Sequence, residues 1–163
     1  MDFPCTSHTA TTSSLTLPPY ADGLIKAEIR VMARVLVLDD DKLFGALMRR
    51  ALEHHAHAVT LAETAATARA TLAVETFDAM VCDIILPDEN GLHLMRDIRA
   101  AYPAMALIAV SGGKNGAVDL LQLAQTVGVD DIVKKPIELT NFVVTVERAL
   151  ATKQARHNRA KSS

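Results

Sequence analysis

The sequence predicts an α/β fold: an open, doubly wound sheet of five parallel strands with helices on both faces. Three observations lead there. Short apolar runs alternate with segments of helical period from Val35 to Leu150, the pattern of repeated strand–helix units. Apolar residues make up 50% of the 163-residue chain while aromatics are only 4% and Trp is absent, so the core must be built from aliphatic side chains. Acids, a serine and two lysines stand just after the apolar runs, at Asp39-Asp40-Asp41, Asp83, Ser111 and Lys134-Lys135. In open parallel sheets ligands gather outside the carboxyl ends of the strands.

Each element has its own signal. Val35 to Leu38 is a continuous apolar run, as a strand buried on both faces requires. Phe44, Leu47, Met48 and Ala51 then recur at i, i+3, i+4 and i+7, one face of a helix. Ala58 to Leu61 reads as a second strand and the Ala-rich stretch from Glu63 to Thr76 as a second helix. Ala79 to Cys82 is a third strand ending at Asp83, and Leu94, Met95 and Ile98 mark a helix over 91–101, which Pro103 stops. Met105 to Val110 is the fourth strand, ending at Ser111-Gly112-Gly113, and a helix over about 116–127 ends at Gly128. Ile132-Val133 is a short fifth strand, and Leu139, Phe142, Val143, Val146 and Leu150 stripe the last helix. Right-handed crossovers leave few topologies for such an order.

Residues 1–32 read as a disordered leader. Eight of the eleven residues from Thr6 to Thr16 are Ser or Thr, and Pro18-Pro19 follow, so little apolar surface is available for burial. Met32-Ala33-Arg34 before a strand also looks like a start of translation, so a gene-model extension is the alternative to a true tail. The patterned domain spans 33–152, and 153–163 is a short basic tail, with four bases and no acid, expected to be solvated. The formal charge of −2 gives no whole-chain attraction to nucleic acid or an anionic membrane. Two cysteines, one in the leader and one in an apolar run, make neither a metal quartet nor a disulfide framework. With no secretory signal and no apolar stretch long enough to span a bilayer, a cytoplasmic location is expected.

Carboxylates from two strands, a hydroxyl and an ammonium would meet on one rim. Such carboxylates repel one another unless a cation intervenes, and oxygen-only ligands suit Mg²⁺. Asp83 can then serve as a nucleophile toward a phosphoryl donor, with Ser111 and Lys135 suited to the oxygens of the transferred group. Asp41, followed by Lys42, reads as a helix N-cap. His54, His55 and His57 fit a helix C-terminus better than a metal site. Cys82 alternates with Asp83 and should be a core thiol pointing away from the rim.

These residues resemble the receiver domain of two-component response regulators, the CheY-like family. The resemblance rests on VLVLDDD at the first strand, VCDIILPDENG around Asp83, VSGG at Ser111 and VKKP at Lys135-Pro136, and covers roughly Ala33 to Thr152. It implies the flavodoxin-like strand order 2-1-3-4-5. It makes Asp83 the phospho-acceptor, forming a 4-aspartylphosphate. Asp39, Asp40, Asp83 and the main-chain carbonyl of Ile85 become ligands of Mg²⁺, or of Mn²⁺ in its place. Ser111 becomes the switch hydroxyl and Lys135 the phosphate-binding lysine before a cis proline, with Lys134 exposed. One departure stands out: Ile132 occupies the position where the family usually has Tyr or Phe, so the usual aromatic switch is in doubt. The readout is then expected from the Ser111–Asn115 loop and the helix carrying Leu120, Leu121 and Leu123.

The resemblance implies a signalling module, not a turnover enzyme, and with only 11 residues from 153 to 163 after the last expected helix a stand-alone one is expected. Its partners would be a histidine kinase or histidine phosphotransfer protein, a downstream protein target, and a second copy on phosphorylation. No DNA-binding domain and no membrane partner are expected. Two other readings remain open from sequence: a phosphatase of the haloacid-dehalogenase type, using an Asp-x-Asp within Asp39–Asp41, and a degenerate receiver serving only as a scaffold.

Overall fold

The computed structural model describes residues 32–112 and 126–161. Five strands, β1 (Arg34–Leu38), β2 (Ala58–Ala62), β3 (Ala79–Asp83), β4 (Ala106–Ser111) and β5 (Asp131–Lys134), form one sheet in the order β2-β1-β3-β4-β5, every pair parallel. The described helices are α1 (Lys42–His54), α2 (Ala65–Val74), α3 (Gly91–Ala101) and α4 (Leu139–Lys161). The strand order is the one the family resemblance implies.

Side chains alternate across the sheet and so build two cores. Leu36, Leu38, Met80, Cys82, Leu107 and Ala109 meet α2 and α3 through Ala68, Leu72, Leu94, Met95 and Ile98. Val35, Val37, Ala79, Val81, Ile108 and Val110 meet α1 and α4 through Met48, Leu52, Phe142, Val143 and Val146. Cys82 thus lies in the first core, fully buried, on the face away from Asp83, and burial pushes its thiol pKa up.

Several boundaries differ from the sequence reading. Leu47 is 45% exposed, and α1 instead buries Gly45, Met48 and Leu52. Helix α2 begins at Ala65 because Thr64 caps it, its side chain accepting from the Thr67 amide. Ser111 is the last residue of β4 rather than the first beyond it. The basic segment is no separate tail up to Lys161, because α4 continues through it. Lys153 folds back, its Nζ 3.2 Å from Asp130 Oδ1 and 3.3 Å from the Pro103 carbonyl. Of the helix expected over 116–127, all but Thr126 and Val127 lies outside the described residues, as do the leader, Gly113–Asn115 and Leu120, Leu121 and Leu123. Among the described residues, no helix is long and apolar enough to cross a membrane.

Arg99 ties α3 to the strand that delivers Lys135. Its guanidinium donates to the carbonyls of Gly128 (3.0 Å), Pro103 (3.0 Å) and Met105 (2.8 Å) and to Asp130 Oδ2 (2.6 Å). Asp130 also accepts from the Leu107 amide at 2.9 Å. Arg99→Ala would strip this half-buried cluster of four hydrogen bonds and leave Asp130 to Lys153 and the Leu107 amide, so a loss of about 2 kcal/mol is expected, read as a lowered urea midpoint at unchanged slope.

Candidate functional site

The site forms where β1, β3 and β4 end. The β1–β3 register sets Leu38 beside Cys82, so Asp39 and Asp83 leave the sheet side by side. Both are almost fully buried, at 3% and 5% exposure, whereas Asp40 projects into solvent. Local hydrogen bonds fix each carboxylate. Asp39 Oδ1 accepts from the Asp41 amide at 2.9 Å, and Asp83 Oδ1 from the Ile85 amide at 2.8 Å. Asp41 faces the other way and caps α1, accepting from the Leu43 and Phe44 amides at 3.0 and 3.1 Å, as its position suggests.

Lys135 arrives from the far side of the sheet. The β4–β5 ladder pairs Ser111 with Lys134, and the Lys135 amide donates to the Ser111 carbonyl at 2.7 Å. The Lys135–Pro136 bond is cis, as the resemblance implies, and Lys134 is exposed. Lys135 Nζ bridges the two buried acids, 3.0 Å from Asp39 Oδ2 and 2.5 Å from Asp83 Oδ2. Its stem runs past Gly112, where an added Cβ would stand 3.0 Å from Lys135 Cδ.

The electrostatics follow from crowding. Burial raises the Asp39 pKa; the Lys135 hydrogen bond and the Asp41 amide only partly oppose it, and the Asp83 charge adds to it. Burial works against the Lys135 ammonium, but the hydrogen bonds it donates to Asp83 and Asp39 outweigh it and hold its pKa above the usual lysine value. Asp39, Asp40 and Asp83 each offer a carboxylate oxygen, all within 4.8 Å of one another. Three formal negative charges against one positive, with oxygen donors alone, fit a hard divalent cation. Among the described residues this is the one cluster of acids, histidines or cysteines suited to a metal.

The loop after Asp83 is held by two features the sequence reading passed over. An added Cβ on Gly91 would stand 2.1 Å from the Asp83 carbonyl oxygen and 2.9 Å from Ile84 Cα, so only glycine fits. Gly91→Ala must push α3 or the Asp83 backbone aside, and a loss of roughly 3 kcal/mol is expected in a denaturant melt. Asp88 reaches from the same loop to α2, accepting from the Ala65 and Ala66 amides at 3.2 and 3.3 Å.

The histidines stand apart from the site. His54 ends α1 and His55 caps it, as expected. His57 lies beyond the helix and is buried, with Nδ1 accepting from the Ala33 amide at 3.3 Å. The Glu147 carboxylate lies 3.3 Å from His55 Nδ1 and 3.7 Å from His57 Nε2, joining the end of α1 to α4. Ile132 is half-buried against the core on the α2–α3 face.

Residues 35–147 match the family model of the response regulator receiver domain. The chain belongs to this family. It is 32% identical over 118 residues to the DNA-binding transcriptional regulator NtrC of Azospirillum brasilense, covering 72% of this chain and 24% of that protein. It is 29% identical to the TorCAD operon transcriptional regulatory protein TorR of Escherichia coli, covering 71% and 49%. The chain therefore spans about a quarter of the first of these regulators and about half of the second. Solved receiver domains align along nearly their whole length. A CheY-like receiver protein from Methanospirillum hungatei gives a TM-score of 0.72 at 25% identity, over 77% of this chain and 98% of that one. The receiver domain of NtrX from Brucella abortus gives 0.68 at 27%, over 72% and 98%. The present chain is thus a signalling receiver domain of the two-component type, with an acidic cluster able to hold a metal at its strand ends.

Proposed function

We propose that this receiver domain accepts a phosphoryl group on Asp83, with Mg²⁺ (or Mn²⁺) held by Asp39, Asp40, Asp83 and the main-chain carbonyl of Ile85. The observation that carries the reading is Lys135 Nζ bridging Asp39 and Asp83 beside a third carboxylate. When bound, the cation supplies charge neutralisation for the carboxylates and the incoming phosphate. An Asp83 oxygen forms the new P–O bond while the bond from phosphorus to the donor breaks, and its electron pair leaves with the donor. That donor is a histidine kinase or histidine phosphotransfer protein, whose phosphohistidine returns to imidazole; a small donor such as acetyl phosphate leaves as acetate. Lys135 exchanges a carboxylate oxygen for a phosphoryl oxygen, and the Ser111 hydroxyl binds another.

Output passes through contacts with a protein target or a second copy. With Ile132 in the aromatic position, the readout is assigned to the segment following Ser111. The match of residues 35–147 to the receiver family speaks against a phosphatase with its nucleophile on the first strand.

Intact-mass analysis after incubation with acetyl phosphate and Mg²⁺ tests the metal half of the reading. The expected result is the mass of one added phosphoryl group, formed at least tenfold more slowly with chelator, on the order of one electrostatic contact removed from the transition state. Equal rates with and without chelator would remove the metal from the mechanism.

A further inference from the structure

Lys135 has a third partner besides the two carboxylates, the ring of Phe44. Its Nζ lies 4.3 Å from the centroid of the Phe44 ring, within cation–π range. Phe44 is half-buried against the core on the α1–α4 face. It occupies the first turn of α1, where its amide is bound by the capping Asp41 carboxylate. The ammonium has three N–H groups. Asp39 and Asp83 take two of them, and the ring face meets the same ammonium.

We propose that Phe44 is a positioning residue for phosphoryl transfer, holding the Lys135 ammonium over the rim through its ring face. The inference rests on the functional reading above. Both carboxylate partners of Lys135 change role during that reaction, Asp39 toward the cation and Asp83 toward phosphorus. A lysine held only by them would follow them or swing into solvent, since its side chain is already 25% exposed. The ring attracts the ammonium without consuming an acceptor that the phosphoryl group needs, and it stays fixed because α1 is packed and capped. Asp41, adjacent to the two candidate metal ligands, thereby contributes to the site by placing Phe44.

Fluorinated phenylalanines at position 44 test this, because they keep the ring's shape while withdrawing charge from its face. Phosphoryl uptake from acetyl phosphate is measured at saturating Mg²⁺ for the wild type, a mono- and a pentafluorinated ring, and Phe44→Leu. The expected result is a stepwise fall, reaching about three- to thirtyfold for the pentafluorinated ring and for Leu. Phe44→Tyr, which keeps the ring, should stay within about twofold of wild type. Lost packing alone would slow Phe44→Leu but leave the fluorinated series flat, and a flat series overturns the proposal. If the wild type itself takes up no phosphoryl group, the functional reading falls, and this inference falls with it.

Discussion

Asp39→Asn is expected to raise the melting temperature of the metal-free domain and to abolish its response to Mg²⁺. The two effects share one cause. The Asp39 carboxylate is buried, and its folded-state pKa stands above the ordinary value because burial disfavours its charge more than Lys135 and the Asp41 amide favour it. The folded state therefore holds this proton more tightly than the unfolded state. Stability linked to Asp39 accordingly falls as pH rises from about 3.8 through the raised folded value, and the full cost is present at neutral pH. An Asn keeps the shape and, with its one oxygen, the bond from the Asp41 amide; it gives up the bond from Lys135, which Asp83 still holds, and removes the charge and its repulsion with Asp83. A gain on the order of 1 kcal/mol, roughly 4 °C for a domain of this size, is expected without metal. Added Mg²⁺ should stabilise the wild type by mass action on the folded state and leave the variant unmoved. Calorimetry with and without Mg²⁺ checks both arms. A variant that melts lower without metal, yet still gains from Mg²⁺, would show that Asp39 is a structural partner of Lys135 and not a ligand.

Such a trade of stability for a site is why the site was so legible in the sequence. Three aspartates in a row after VLVL, and one after AMVC, make poor sense as packing residues and good sense at the carboxyl ends of buried strands. The strands were equally plain, because a parallel strand covered on both faces reads as a continuous apolar run. Helix ends were less so. Thr64 caps α2 two residues later than the Ala-rich run suggests, since Ala favours a helix without saying where it starts. The reach of α4 to Lys161 is not legible in the sequence, because a run of polar and basic residues carries no apolar stripe, while nothing in it breaks a helix. Phe44 was placed on a core-facing stripe by its spacing, correctly. The same half-buried position leaves its ring against Lys135, 91 positions further along the chain, which no local pattern reveals. Gly91 could be read as the start of α3, but its approach to the Asp83 carbonyl belongs to tertiary structure. Charge alone sends Lys153 to solvent, whereas Asp130 gives it an anchor on the α3–β5 side.

The central claim is that the phosphoryl group is carried by Asp83, and Asp83→Asn tests it most directly. The substitution is close to isosteric. The one oxygen of an Asn at this position can still accept from the Ile85 amide, which Asp83 now engages at 2.8 Å, while Asp39 keeps its hold on Lys135, so the fold and the β3–α3 loop should persist. What it removes is the anionic oxygen that attacks phosphorus. Wild type and variant are incubated side by side with Mg²⁺ and acetyl phosphate, and their intact masses are followed over time, with a thermal melt to show that both are folded. The wild type is predicted to gain one phosphoryl group and the folded variant none. A folded Asp83→Asn chain that gains the same mass at the wild-type rate would place the acceptor elsewhere and contradict the account.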